Sequence, residues 1–302
     1  MSIPEVSVVI PTYNRIETLR EVIPSLLRQD IRADRYEIVV ADSNSNDGTE
    51  EYLAAVAKDY PRVRHLPGAY SGRAMARNAG IAAARGGIVM FTDADIIASS
   101  DLLSRHLARH ARRDDVAVVG KELQVSSVAE YERLRDHPLE RRPLHPESRK
   151  KLSWLYFLTG NASVRKVHLD RVGRFDENFT GYGHEDLELG YRLQKAGLTI
   201  AYEPNAIDYH WHPVPYDEQK SKMELAGRST VRFYRKHPTF AVAAKLGMTP
   251  LSRALYGVVR ERPGLLRSLE RAGSAKPGLA RNIVYQYHYL SGVTNALEHE
   301  SV

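Results

Sequence analysis

Cysteine is absent from all 302 residues, which excludes disulfides and thiolate metal sites and fits a reducing compartment. No apolar run approaches the roughly 20 residues that a bilayer-spanning helix needs. The first residues pass directly into a strand pattern, without the layout of a secretory leader. These absences give the expectation of a cytoplasmic protein, with the inner face of the membrane as the alternative address. No internal repeat is visible. Tryptophan occurs twice, as Trp154 and Trp211, and each reads either as core packing or as a platform for a sugar ring.

What is present describes a globular chain: 43% of residues are hydrophobic and 26% are charged, so wholesale disorder is excluded. The net charge of +6 is unevenly placed. Residues 215–302 hold 14 Lys and Arg against 7 Asp and Glu, which leaves the first 214 residues close to neutral. A basic tail of this kind suits anionic lipid, nucleic acid or a phosphorylated substrate, and equally a solvated helical surface.

From residue 6 to about 120, short apolar runs alternate with amphipathic helical patterns, the signature of βα units and a largely parallel sheet. Val6–Ile10, Glu37–Ala41, Val63–Leu66, Ile88–Phe91 and Val116–Val119 read as strands. Leu19, Val22, Ile23, Leu26 and Leu27 mark the core face of a helix in which Pro24 is expected to introduce a kink. Thr49–Ala57, Ser71–Ala84 and the stretch around Leu102–Leu107 read as further helices. Residues 124–150, with Pro138, Pro143 and Pro146, read as a long loop or broken helix. Beyond about 215 the pattern is helical and punctuated by Pro238, Pro250, Pro263 and Pro277.

Ligands of open α/β sheets bind outside the C-terminal ends of the strands. Three polar clusters occupy such ends: Thr12 to Arg15, Asp42 to Gly48, and Asp93 with Asp95. They are expected to share one edge and form a nucleotide-sized site. In an extended chain, residues two apart point to the same side, so Asp93 and Asp95 can converge on one Mg²⁺ or Mn²⁺ ion. Alone, the pair would equally describe a strand cap.

A second constellation runs from Phe179 to Leu193. Helical spacing puts Asp186 on a stripe with Leu189, Gly190 and Leu193, and Glu185 on a stripe with Glu188, Arg192 and Lys195. Asp186 is therefore the acid expected to face inward, where it can serve as a general base. His210 and His212 repeat the two-residue spacing, and one of them could be a third metal ligand.

With these residues in view, the chain resembles the inverting nucleotide-sugar glycosyltransferases of family 2, which have the GT-A fold. The resemblance covers residues 6 to about 213. It rests on Val8 to Arg15, the Asp42 to Thr49 loop, Gly72 to Gly80, Asp93-Ala94-Asp95, Gly160 to Ser163, and Gly183-His184-Glu185-Asp186. It implies an α/β architecture: a Rossmann-like mixed, mostly parallel sheet flanked by helices. Residues 1–215 would be the transferase domain, with a nucleotide-sugar half at 1–120 and an acceptor half at 121–215, and residues 216–302 a basic helical extension.

The same resemblance assigns roles. Pro11 and Tyr13 would contact the nucleoside, with Asn14 and Arg15 in the same loop. Asp42 and Ser43 would sit at the base edge; many relatives have a second acid or an Asn where this chain has Ser43. Arg73, Arg77 and Asn78 would reach the ribose, sugar or diphosphate. Asp93 would hold the ribose or metal-bound water, with Ala94 beside it and Asn161 on the floor near the donor sugar. Asp95 and His210, with Asp93, would hold Mn²⁺ or Mg²⁺. Asp186 would be the base, and Glu185, Gly183 and Trp154 would face the acceptor. The implied partners are a nucleotide-sugar donor, UDP-linked in the first reading, and a glycan, lipid-linked or small-molecule acceptor. Peripheral membrane contact through the basic tail and oligomerisation are compatible with this reading, and no nucleic acid is expected. The rivals are an inactive scaffold of the same fold and a sugar-1-phosphate nucleotidyltransferase. The latter would want a glycine-rich basic phosphate loop where Pro11-Thr12-Tyr13-Asn14 stands.

Overall fold

The computed structural model describes residues 3–136, 151–211 and 214–299. The chain divides into two compact units, Met1–Thr180 with Glu185–Pro213, and Gly181–His184 with Val214–Val302.

The first unit is a mixed sheet with helices. Strands β1 (Val6–Thr12), β2 (Tyr36–Asp42) and β4 (Ile88–Phe91) are buried at every position, which is why they read as continuous apolar runs rather than alternating ones. Strand β3 (Val63–Pro67) lies at one edge, and β3, β2, β1 and β4 pair in parallel in that order. Beyond β4 the sheet changes character. Strand β8 (Ala162–Arg165) runs antiparallel to both β4 and β6 (Val116–Val125); β9 (Thr199–Trp211) then pairs in parallel with β6 and antiparallel with β5 (Ile96–Ala98) and β7 (Lys151–Leu152).

Helix α1 (Ile16–Leu27) buries Leu19, Val22, Ile23 and Leu26, the stripe its spacing foretells, and it continues unbroken through Pro24. Helices α2 (Thr49–Asp59), α3 (Arg73–Ala83) and α4 (Leu102–His110) complete the successive crossovers. Of the long loop or broken helix expected over residues 124–150, the described part is helical: β6 extends to Val125, and α5 (Val128–Asp136) follows. Residues 137–150, with the three prolines, and His212 lie outside the described residues. Helices α6 (Lys166–Val172) and α7 (Glu185–Lys195) precede β9.

The second unit contains α8 (Tyr216–Lys236), α9 (Phe240–Lys245), α10 (Pro250–Arg260), α11 (Pro263–Ala275) and α12 (Leu279–His299). Its prolines stand where they cost least. Pro250 and Pro263 open helices, at positions whose N–H has no partner within the helix. Helices α8 and α12 cross backbone to backbone, because a Cβ on Gly227 would strike the Tyr289 carbonyl and one on Gly292 the Glu224 carbonyl. Val231, Val293 and Ala296 form the core beside this crossing. No described helix is long and apolar enough to cross a membrane.

Candidate active site

Because β1, β2 and β4 are parallel neighbours, their C-terminal ends share an edge, and Thr12 stands opposite Asp42 in register. The loops leaving β1 and β2 are stitched together. Asn14, in the left-handed region at φ 51°, receives the Asn46 N–H on its Oδ1 (2.9 Å), and its own N–H donates to Ser45 Oγ (2.8 Å). Asp47 accepts from the N–H of Ile16 at 2.9 Å and from the Thr49 hydroxyl at 2.6 Å. Asp42 is buried; its Oδ1 takes the Ser45 N–H (3.1 Å), and its Oδ2 lies 3.1 Å from His65 Nε2. Ser43 donates its N–H to the Thr12 carbonyl at 2.9 Å. Pro11 is buried within β1, Arg15 caps α1, and the Tyr13 ring is 58% exposed above this rim. Ser45 and Asp47 belong to the Asp42 to Gly48 cluster read from sequence, whereas His65, on β3, was not singled out because its partner Asp42 lies 23 residues away.

The Asp93-Ala94-Asp95 triplet is a turn between β4 and β5, not an extended strand end. The Ile96 N–H closes it on the Asp93 carbonyl at 3.2 Å, with Ala94 buried. The chain is therefore not extended here, and the two carboxylates have different partners, Arg77 for Asp93 and His210 for Asp95.

Asp93 accepts from Arg77 Nη2 at 2.7 Å. Arg77 is 1% exposed, and its Nη1 donates to Glu185 Oε1 at 2.9 Å. Burial works against the guanidinium's charge, and Asp93, Glu185 and Asp186 outweigh it. Arg77 thus clasps two acids, Asp93 and Glu185. Glu185 is the buried member of the α7 pair, which corrects the expected orientation. The helix turns Glu185 and Glu188 inward because Arg77 and Arg192 meet them there, the latter at 2.7 Å from Glu188 Oε2. Glu185 accepts from Arg77 on its Oε1, while its Oε2 is buried and has no hydrogen-bond partner.

Asp186 keeps partial exposure and accepts the Leu187 N–H at 2.7 Å. Burial of its carboxyl and the adjacent Glu185 carboxylate push its pKa up to about 7, against the pull of Arg77. A carboxyl so tuned can accept a proton near neutral pH.

Asp95 Oδ1 lies 3.6 Å from His210 Nε2, while His210 Nδ1 is 3.2 Å from Glu122 Oε1. Burial alone would keep this imidazole neutral; the carboxylates of Asp95 and Glu122 outweigh it and push His210 up to about 10. Asp208, two residues before His210 and opposite Glu122 on β6, is fully buried, and neither of its carboxylate oxygens has a hydrogen-bond partner. Burial, with Glu122 alongside, raises its pKa well above the usual range. A Cβ on Gly160 would collide with the Glu122 carboxylate, so that glycine makes the room. Glu122 and Asp208 were not singled out by sequence, although Asp208 and His210 share the two-residue spacing that was read at 93 and 95.

Other expected contacts are redirected. Asn78 uses its amide on the neighbouring loop, donating to the Phe175 carbonyl (2.9 Å) and Glu177 (2.8 Å) and accepting from the Phe175 N–H. Asn161 is buried: its Oδ1 lies 2.8 Å from His106 Nε2, and its Nδ2 donates to the Ala206 carbonyl. Trp154 is 4% exposed and packs edge-on against Tyr191 at 5.7 Å, so it is core rather than a sugar platform. Arg73 opens α3 and is exposed. Gly183, at φ 82°, belongs to the second unit. There His184 lies 2.9 Å from Thr230 Oγ1 and stacks on Tyr289.

Among solved structures, a mannosyltransferase from Pyrobaculum calidifontis in complex with GDP-Man and Mn²⁺ is similar at a TM-score of 0.68 and 19% identity, over 100% of this chain and 89% of that one. TarS 1–349 of S. aureus in complex with UDP-GlcNAc gives 0.56 and 17%, over 97% and 92%. These likenesses establish the fold. In sequence, the validoxylamine A glucosyltransferase of Streptomyces hygroscopicus subsp. jinggangensis is 31% identical over 85% of this chain and 66% of its own length. The chondroitin synthase of Escherichia coli is 27% identical over 76% of this chain and 39% of its own. The chain spans just under two thirds of the length of the first of these relatives. A model of the N-terminal domain of galactosyltransferase matches residues 144–213. The model of glycosyl transferase family 2 matches residues 7–173, more than half of the sequence and the part that carries the stitched loops and the Asp93–Asp95 turn, and the chain belongs to that family.

Proposed function

We propose that this chain transfers a sugar from a nucleoside-diphosphate donor, UDP-linked in the first instance, to an acceptor hydroxyl with inversion at the anomeric carbon. The observation that carries the proposal is Asp186, a partly exposed carboxyl with a pKa near neutrality, held in the same charged knot as the Asp93–Asp95 turn. The donor class draws support from neighbours solved with GDP-Man and UDP-GlcNAc. The relatives' names, validoxylamine A and chondroitin, leave glycan, lipid-linked and small-molecule acceptors all in play.

The stitched β1 and β2 loops would receive the nucleoside, with the Tyr13 ring against the base and Asp42 at its edge. Among the described residues no three His, Asp or Glu side chains converge on one metal position. The donor chemistry nevertheless fits Mn²⁺ or Mg²⁺. Asp95 and His210 offer a carboxylate and an imidazole 3.6 Å apart, and such ions take their remaining ligands from water and substrate phosphates. When bound, the ion would supply Lewis-acid stabilisation of the diphosphate leaving group. Asp186 would accept the proton of the attacking hydroxyl, a contribution of about 10²- to 10⁴-fold. Direct displacement on the opposite face of the sugar inverts the centre.

The test combines a thermal-shift panel of UDP, GDP and dTDP sugars, with Mn²⁺ and with chelator, and turnover of Asp186→Asn. Metal-dependent nucleotide binding should survive in the variant while transfer is lost. Loss of both would make Asp186 structural, and wild-type transfer by the variant would remove it from catalysis.

A further inference from the structure

Helix α10 of the second unit carries more apolar surface than its unit covers. Tyr256 is buried and stacks against Tyr287 of α12 at 5.1 Å, which fixes the inner side of the helix. Leu251, Leu255 and Val258 follow one another at helical spacing on another side, and they are 70%, 60% and 45% exposed. Ala254 between them is exposed as well. Close by in sequence, Phe240 at the start of α9 is 81% exposed and Leu265 of α11 is 41% exposed. Single exposed leucines need no explanation, whereas a helical stripe of them marks a surface that meets something.

The charge around this stripe narrows the partner. Residues 240–281 contain eight Lys and Arg and two Glu. Arg253, Arg260, Arg262, Arg267, Arg271 and Lys276 are all exposed. Arg253 and Arg260 lie on the far side of α10 from the stripe, and Arg262 stands in the link to α11, so the positive charge belongs to the region around the stripe rather than to the stripe itself. A second copy of the chain is disfavoured as occupant, because a two-fold contact would press two such basic surfaces together. An anionic bilayer supplies what the pattern asks for, an apolar boundary beneath a negative surface.

We propose that α10 docks on an anionic lipid surface, with Leu251, Leu255 and Val258 inserted at the level of the acyl boundary and the net positive charge of residues 240–281 drawing the region to the headgroups. This docking is independent of the transferase reading, and its readout is binding alone.

The experiment uses the full chain and sedimentation with vesicles of phosphatidylcholine alone or with a third of phosphatidylglycerol. Wild type should pellet with the anionic vesicles and stay in solution with the neutral ones. The triple variant Leu251→Gln, Leu255→Gln, Val258→Gln changes only exposed positions and should melt like wild type. It should partition about tenfold more weakly or worse, since three apolar side chains no longer leave water. Leu255→Trp should shift its fluorescence to the blue on anionic vesicles, reporting insertion. Equal binding of wild type and triple variant, fully reversed by salt, would reduce the contact to charge and overturn the proposal. Absence of vesicle binding would overturn it outright, as would dimerisation in solution that the triple variant abolishes.

Discussion

The acids around Arg77 and those around His210 meet the same problem, negative charge withdrawn from water, and are neutralised in different ways. Arg77 gives Nη2 to Asp93 and Nη1 to Glu185 from a position that is 1% exposed. Its charge does not titrate, so the clasp is permanent. His210 stands between Asp95 and Glu122 at 3.6 and 3.2 Å and holds a proton only because those carboxylates keep it there. Under the proposed function that charge would be given up to an arriving metal ion. The fixed charge builds the place where Asp186 stands, and in the proposed reaction the replaceable one would mark where an ion enters.

The comparison breaks most visibly at Arg77. Arg77→Met would leave Asp93 and Glu185 inside without their counter-charge, and stripping one partner from a buried pair costs about 3–5 kcal/mol. Urea denaturation should show a loss of that size. A loss below about 1 kcal/mol, the value of an exposed pair, would mean that water reaches the clasp and that the two knots are alike.

Glu122 gives a smaller, more selective effect. It orients His210 from the Nδ1 side, and removing such an outer partner typically lowers metal affinity about 10- to 100-fold. Glu122→Gln should therefore weaken Mn²⁺ binding by roughly that factor in calorimetry while leaving the urea midpoint close to wild type. An unchanged Mn²⁺ affinity would detach Glu122 from the metal side and leave it as a neighbour of Asp208.

The difference between the knots also explains what sequence could foresee. Buried strands and helix stripes announce themselves by periodicity, so β1, β2, α1 and the polar ends of the parallel strands were legible. The orientation of α7 was not. Leucine spacing turns Asp186 inward, but the deciding partner of Glu185 is Arg77, 108 residues away, and periodicity carries no record of that pairing. The turn at Asp93–Asp95 was illegible for a related reason: two-residue spacing reads as a strand end, and the Ile96 N–H that closes the turn on the Asp93 carbonyl leaves no mark in the sequence pattern. Glu122 and Asp208 meet through the register of β6 and β9, which shifts between Val119 and Lys121. Neither strand shows that shift by itself.

The smallest expected effect sharpens the comparison at Asp186, the acid in the Arg77 knot that the guanidinium influences without bonding. Its pKa is raised to about 7 by burial and by Glu185, so between about pH 4 and pH 7 the folded protein holds a proton that the unfolded chain releases. Wild-type stability therefore falls as pH rises through that window and levels off above it. Asparagine carries no such charge, so Asp186→Asn should melt with wild type near pH 4 and higher than wild type at pH 8. After allowance for the carboxyl's partial exposure, the gain is on the order of 1 kcal/mol. Melting curves across pH measure it directly. A variant that is more stable yet inactive would identify Asp186 as a charge kept for chemistry at the expense of the fold. One that is less stable at pH 8 would show the carboxylate to be a structural acceptor for the Leu187 N–H, and the base would have to be sought elsewhere on this edge.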